Sequence, residues 1–458
     1  MIRLAMTEVD RHLIESHFRS LAPRESGAFL LLFDGASPRG PRLVASRPYF
    51  PGADEWEQRG EHQLTPSARL ISAMVSFANA MKAGLLFIHS HPNPLHPTAF
   101  SRADENALAS LAEVMPDLLD GSFAAAVVGP QGWVGRVYRA GRWLEIERIT
   151  AAGAGLRILS PLGIVDEVEA LDDRQVKALG SLNQVLRNLD VAIVGCGGLG
   201  SPLAETVTRM GVRRLTPIDF DLLDTPSNVR RVFGARMADL AGPPVPKASI
   251  VARNCRFPQL ATEVTEIHGD IRRPVAFRHM LDADVVFCGT DSHSSRAVID
   301  AASIAYNLPV IDCGVRVGLR DGHLSGLLSE LRLLGPGRPC LWCRGTLSAE
   351  RIRAENLPPD QRRKLAAEGY LVGIAAAEPS VTALTVFGAG MMASALLGLL
   401  SPDSDLLWDT WLFDAFLGDA PTGKQTAIDP ACICQRRAGL ADRAALGLMP
   451  DATQLERS

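Results

Sequence analysis

The sequence predicts an α/β protein in two parts. A smaller α+β domain spans residues 1–150, a linker 151–164, and a larger domain with a mostly parallel sheet 165–458. Three observations predict it. Short apolar runs mix irregularly with helical stretches in the first part. From Asp190 onward strands and helices alternate regularly, which implies a parallel sheet with right-handed crossovers. Each part also carries its own cluster of chemically active side chains. A chain of 458 residues has room for two or three domains.

Taken in chain order, Ala28–Phe33 reads as a strand ended by a turn at Asp34-Gly35. Thr65-Pro66 opens a helix to Lys82, with Thr as cap and Pro in the first turn. Gly84–Ile88 is a strand with His89 at its end, and Ser101–Leu111 is helical. Phe123–Val128 and Trp133–Tyr138 form a hairpin around Gly129-Pro130. Ala151–Gly155, built of small residues, begins the linker. Residues 165–188 are charged, periodic and helical. Then come a strand at Val191–Val194, a helix to Met210 and a strand at Arg214–Ile218. Further strands fall at Val264–His268, Asp284–Cys288 and Pro309–Asp312. Val381–Leu400 is uncharged and long enough to cross a bilayer. Gly388 and Gly390 interrupt it and no Lys or Arg flanks it closely, so it reads as a buried helix.

Composition narrows the function classes. Apolar residues make up 47% and charged residues 21%, as in soluble globular proteins. Lys and Arg number 47 against 51 Asp and Glu, without the basic excess that nucleic acid favours. Neither nucleic acid nor a membrane is an expected partner. Met1–Asp10 is charged and shows no signal peptide. Eight cysteines without a secretory signal favour a metal over disulfides, and a cytoplasmic setting.

The first cluster is His89-Ser90-His91-Pro92 with Ser101 and Asp104 downstream. An H-x-H pair at a strand end points both imidazoles the same way, because side chains alternate with period two. His89, His91 and Asp104 supply three ligands, and an open fourth position defines a catalytic zinc site. Bound there, water becomes a nucleophile near neutral pH. Glu25 is the candidate general base, and Ser101 a candidate donor to an oxyanion. This H-x-H-P…S-x-x-D spacing resembles the JAMM (JAB/MPN) metallopeptidases over roughly residues 1–140. The resemblance implies cleavage after the C-terminal glycine of ubiquitin-like proteins. The interval from His91 to Ser101 is longer than usual, nine residues with Pro94 and Pro97 inside. His96 in that loop has no assigned role.

The second cluster begins at Gly195-Cys196-Gly197-Gly198-Leu199-Gly200-Ser201. Gly195, Gly197 and Gly200 come after a strand and open a helix, the dinucleotide fingerprint of a Rossmann-like sheet. Asp219 ends the next strand, where a carboxylate grips a ribose hydroxyl. An NAD-dependent oxidoreductase would fit this much. The residues downstream fit a triphosphate better: Arg231 and Lys247 as cations for phosphate oxygens, and Asp291 as a carboxylate for magnesium.

The run G-x-G-G-L-G-S, Asp219-Phe220-Asp221, Ser227-Asn228…Arg231, Lys247 and Thr290-Asp291…Arg296 resembles the ThiF/ubiquitin-activating-enzyme superfamily from about Asp172 to Cys434. The resemblance implies adenylation of the C-terminal glycine of a ubiquitin-like protein by ATP and Mg2+. By it Asp219 holds the ribose, Asn228, Arg231 and Lys247 contact phosphates, and Asp291 ligates magnesium. Asp173-Arg174-Gln175 matches the family's opening helix, whose Arg reaches the ATP of the opposite subunit. Arg174 is thus a candidate trans finger, and a homodimer is implied.

Cys340 and Cys343 form C-x-x-C; Cys432 and Cys434 form C-x-C. Four thiolates make a closed structural zinc site, although the second pair is tighter than the family's usual spacing. Between the first pair and the next helix, Arg344–Ala377, relatives carry an acceptor cysteine; this chain has none. The adenylate then passes to a sulfur donor or a conjugating-enzyme-like partner's thiol, to a hydroxyl such as Thr346 or Ser348, or to another cysteine such as Cys313. The leading expectation is a bifunctional enzyme that activates a ubiquitin-like protein and also processes or deconjugates it. The alternatives are activation and processing of a sulfur-carrier protein, and a scaffold with one inactive domain.

Overall fold

The structure is a computed structural model. It describes residues 1–61, 63–95, 97–163, 173–368, 380–401, 406, 408–415 and 422–449. The expectations for residues 165–172, for His96 and for the part of the Arg344–Ala377 segment after residue 368 lie outside the described residues. The chain forms two compact units. One contains Met1–Gly163, Ala305–Asn307 and Arg437–Ala445; the other contains Ile164–Ile304, Leu308–Arg436 and Leu446–Ser458.

The elements of the first unit are β1 (Arg3–Thr7), α1 (Glu8–Leu21), β2 (Gly27–Gly35), β3 (Arg42–Tyr49), β4 (Trp56–Arg59), β5 (Leu64–Pro66), α2 (Ala68–Ala80), β6 (Gly84–Ser90) and α3 (Arg102–Leu118). After them come β7 (Phe123–Gly129), β8 (Gly132–Arg139), β9 (Arg142–Glu145), β10 (Arg148–Ala152) and β11 (Leu156–Ile158). The sheet order is β11-β10-β1-β3-β2-β6-β7-β8-β9. Strand β2 is apolar almost throughout because it lies between β3 and β6, buried on both faces. Its Leu30 and Leu32 join Leu4, Ile14, Leu86, Ile88 and Ile149 in one core.

Three expectations change here. Strand β2 continues through Asp34 and Gly35 instead of turning there. Thr65 and Pro66 belong to β5, and the next helix is capped by Ser67, whose Oγ accepts the Leu70 N–H at 3.2 Å. Ala151 and Ala152 are strand, not linker. They are buried in β10, which pairs parallel with β1 and antiparallel with β11.

The second unit contains α4 (Asp173–Leu179), α5 (Leu182–Arg187), β12 (Asp190–Val194), α6 (Gly200–Arg209), β13 (Arg214–Asp219), β14 (Leu222–Leu223), α7 (Pro226–Val229), β15 (Val245–Pro246), α8 (Lys247–Cys255), β16 (Glu263–Val264), β17 (Ile267–His268), α9 (Pro274–Met280) and β18 (Val285–Cys288). It continues with α10 (His293–Ala305), β19 (Val310–Arg320), β20 (His323–Leu334), α11 (Ala349–Glu355), α12 (Pro359–Ala367), α13 (Thr382–Leu400), β21 (Thr410–Asp414) and β22 (Thr422–Lys424). The sheet runs β16-β13-β12-β18-β19-β20-β21-β22, with β17 also on β13. It is mixed: the expected parallel part is joined by an antiparallel part. The pairs up to β18–β19 are parallel, whereas β19 folds back on β20, and β21 and β22 continue antiparallel. The strand expected at Pro309–Asp312 runs on to Arg320 because β20 pairs along its whole length. Helix α13 is long and apolar enough to cross a bilayer, yet most of its residues are buried in the unit.

Candidate functional site

The glycine turn sits where β12 ends and α6 begins. Gly195 has φ +95°, and a Cβ there would lie 2.8 Å from the Gly289 backbone; a Cβ on Gly200 would lie 1.8 Å from the Gly195 carbonyl oxygen. These two positions require glycine. Among the described residues nothing lies within 4 Å of a Cβ built on Gly197.

Asp219, at the end of β13, ties that turn to the next loop. One carboxylate oxygen accepts the Cys196 N–H at 2.6 Å, the other the Asp221 N–H at 2.7 Å. Burial pushes its carboxyl up, and the two N–H donors oppose that shift. Lys247, the first residue of α8, donates from Nζ to Asp221 Oδ2 at 2.6 Å.

Asp219, Asp221, Lys247, Arg231 and Asp291 line one cavity with Gly195, Gly197 and Gly198, about 260 Å³ in volume. Arg231 brings a guanidinium to the cavity wall, a group suited to phosphate oxygens. The open turn, the Arg231 guanidinium, the Lys247 ammonium and the Asp291 carboxylate together fit ATP. The lining residues Ile271, Ser292 and Thr385 escaped the sequence reading because no motif marks them, whereas Phe220 and Thr290 stand inside the quoted motifs. One expected contact is not in the cavity lining: Asn228 donates to Asp224 Oδ1 at 2.9 Å. Arg174, expected to act on the nucleotide of a second copy, lies on α4.

A second cavity of about 390 Å³ shares Leu199, Gly289, Thr290, Asp291 and Val315 with the first and adds Arg316, Arg351 and Thr346. Arg296 also lines it and pairs with the buried Asp312 at 3.1 Å, so it is a structural cation. Directly after Asp291, α10 begins under a carboxylate cap. Glu355 accepts from the His293 N–H at 3.0 Å, and from the Ser294 N–H and hydroxyl at 2.7 Å.

In the first unit, β6 carries His89 almost to its end. His89 Nε2 and His91 Nε2 are 3.2 Å apart, and Asp104 oxygens lie 3.1 Å from His89 and 3.3 Å from His91. In a tetrahedral zinc site with Zn–N near 2.05 Å, ligand atoms sit about 3.3 Å apart. The donor set therefore fits zinc. Glu25 is one step further out, 4.0 Å from His91 Nε2. Histidine neighbours hold the Asp104 carboxyl far below the usual range against the opposing effect of burial, which is the largest single influence. Ser101 is the N-cap of α3: its Oγ accepts the Asp104 N–H at 3.2 Å, and Asp104 accepts the Ser101 N–H in return. That capping box aims Asp104 at the histidines. The hydroxyl is thus engaged as a cap.

The four clustered thiols also match a metal. Cys340 Sγ is 3.6 Å from Cys343 and 3.5 Å from Cys432, and Cys343 is 3.8 Å from Cys434. Tetrahedral Zn–S bonds of 2.3 Å place sulfurs about 3.8 Å apart, so the tight C-x-C pair still completes the set. The other four cysteines are buried. Burial raises the Cys255 thiol to about 11 and Cys313 to about 12.

Residues 173–432, more than half of the chain, match the ThiF family. The chain belongs to the ThiF family. It is 25% identical over 168 residues to "Adenylyltransferase and sulfurtransferase MOCS3" of Danio rerio, covering 36% of each chain. It is 25% identical over 298 residues to "Ubiquitin-like modifier-activating enzyme 5" of Culex quinquefasciatus, covering 62% of this chain and 65% of the relative. The matches thus span 36% to 65% of these curated relatives' length. Among solved structures, E. coli MccB with ATP is similar at a TM-score of 0.44 and 14% identity, covering 88% of this chain and 98% of that one.

The ThiF match includes the glycine turn, Asp219, Arg231, Lys247, Asp291 and three of the clustered cysteines, up to Cys432. It begins at residue 173, so His89, His91, Asp104 and Glu25 stand outside it.

Proposed function

We propose that this ThiF-family chain adenylates the C-terminal carboxylate of a small carrier protein of the sulfur-carrier or ubiquitin-like kind. The observation that carries this reading is the convergence of Lys247, Arg231 and Asp291 on one cavity at the Gly195–Gly200 turn. A carboxylate oxygen attacks the α-phosphorus of ATP, the bond to the pyrophosphate oxygen breaks, and an acyl-adenylate and pyrophosphate result. Lys247 and Arg231 neutralise phosphate oxygens, and Asp219 holds the ribose. Asp291 would hold Mg2+, which neutralises phosphate charge when bound. In a homodimer, Arg174 of a second copy reaches the nucleotide.

The cysteine inventory favours the sulfur-carrier form of this reading. All eight cysteines are placed: four are clustered at zinc-site distances and four are buried. None offers an exposed thiolate for an enzyme thioester. The acyl group then goes directly to an external nucleophile, a sulfur donor before a conjugating enzyme's thiol. The second cavity, opening beside Asp291, gives that nucleophile a place. Thr346 and Cys313 line it, but an unactivated alcohol is a poor acceptor, and burial raises the Cys313 thiol to about 12.

A second reading, favoured by the His89–His91–Asp104 geometry, is metal-dependent processing of the same carrier or of its conjugates. Zinc held there would supply an activated water. Glu25 would move the proton.

The test is exchange of labelled pyrophosphate into ATP by the purified chain with magnesium and candidate glycine-terminated carriers, with intact mass measured afterwards. The reading requires carrier-dependent exchange and an adenylated carrier. Absence of exchange with every such carrier would sink it, and a carrier thioester on the enzyme would sink the direct-transfer step.

A further inference from the structure

An apolar cavity of about 90 Å³ opens beside the histidine pair. It lies between α3 and the sheet face made by β2, β6 and β7, and residues of β5, with Ile71 of α2 and Phe100, line it as well. Phe29, Phe87 and Phe123 line it from the strands, Leu108, Leu111 and Met115 from the helix, and His89 and Asp104 stand at its edge. The strand register builds the floor. Phe29 faces Phe87 across β2 and β6, with ring centroids 5.0 Å apart, and Phe87 stacks on His89 at 5.5 Å and 15°. Ala125 is the register partner of Phe87 on β7, so a small side chain stands where a large one would fill the space. Helix α3 has 17 residues but buries only Leu108 and Met115, so it covers the sheet without sealing it.

Size and chemistry select the occupant. One water needs about 10–15 Å³ of such space, so the cavity has room for roughly six non-hydrogen atoms, a leucine- to phenylalanine-sized side chain. A charged or amide side chain would lose its hydration against carbon walls without gaining partners. We propose that this cavity is a specificity pocket, taking a large apolar side chain of the residue flanking the bond hydrolysed at the His89–His91–Asp104 centre. The proposal rests on the metal-dependent processing reading of that centre. A peptide with only glycine around that bond leaves the pocket empty.

The test measures binding to the zinc-loaded full chain by titration calorimetry. Three hydroxamates share one metal-binding head: acetohydroxamate, isocaprohydroxamate with a leucine-sized tail, and hydrocinnamohydroxamate with a phenylalanine-sized tail. The two longer tails should bind roughly tenfold or more tightly than acetohydroxamate. Leu111→Trp should erase that gain and leave acetohydroxamate unchanged. Leu111→Ala, which tolerates imperfect folding of the first variant, should shift preference several-fold toward the aromatic tail. Equal affinities for all three compounds, or a gain that survives Leu111→Trp, overturns the pocket while leaving the metal centre standing. Failure of even acetohydroxamate to bind overturns the metal centre itself and the pocket with it.

Discussion

His89 Nε2 and His91 Nε2 face each other at 3.2 Å, each against one oxygen of Asp104. That spacing matches an edge of a zinc tetrahedron, and the Cys340–Cys343–Cys432–Cys434 set repeats the match with sulfur. Metal analysis of the purified chain should therefore find about two zinc ions per chain. Asp104→Ala should lose one and keep its fold. Cys343→Ala should lose the other and destabilise the second unit, because structural zinc contributes folding energy directly. A wild-type content of one ion or fewer contradicts one of the two assignments.

The glycine turn makes a sharp comparison. Gly200→Ala places a methyl 1.8 Å from the Gly195 carbonyl oxygen, whereas Gly197→Ala meets nothing within 4 Å among the described residues. Denaturant melts should show Gly200→Ala destabilised by about 2 kcal/mol or more. Gly197→Ala should change stability by less than about 0.5 kcal/mol while weakening ATP binding, since Gly197 lines the candidate nucleotide cavity.

Glu355 makes stability depend on acid. Burial alone would raise its carboxyl, but the Ser294 and His293 donors outweigh it and hold it below its ordinary 4.5. A carboxylate with a lowered folded pKa stabilises above the unfolded value and loses that contribution as pH falls through the folded one. Glu355→Gln should cost about 1 kcal/mol at neutral pH. It should also flatten the loss of stability below pH 4.5. Melting temperatures across pH 3 to 7, a range chosen around the carboxylate values, check both.

Cysteine burial predicts chemical silence. With zinc bound, native alkylation should label none of the eight thiols within minutes, and Cys313→Ser should keep carrier-dependent pyrophosphate exchange within about threefold of wild type. Rapid single-site labelling with loss of acyl transfer would reinstate an enzyme nucleophile.

The candidate nucleotide cavity was legible in sequence because local geometry dictates its lining. Only glycine fits at Gly195 and Gly200, and Asp219 and Lys247 sit at element ends that a strand and a helix fix by themselves. The histidine pair was legible for the same reason: His89 lies in β6 and His91 just past its end, and the capping box at Ser101 is local. Long-range pairing was not legible. Ala151 and Ala152 resembled a linker because small residues carry little strand signal, and only pairing with β1 and β11 makes them strand. The antiparallel half of the second sheet came from the β19–β20 hairpin, whose outer residues are exposed and carry no core pattern. Asn228 shared a motif with Arg231, yet it turns to Asp224, a choice set by the loop around α7 and not by spacing.

The most direct measurement tracks two activities in two variants, using one carrier supplied with a C-terminal extension beyond its glycine. The account predicts that Asp291→Ala abolishes pyrophosphate release and still trims the extension, while Glu25→Ala stops trimming and still activates carrier already ending in glycine. Loss of both activities in either variant would contradict the assignment of two separate centres.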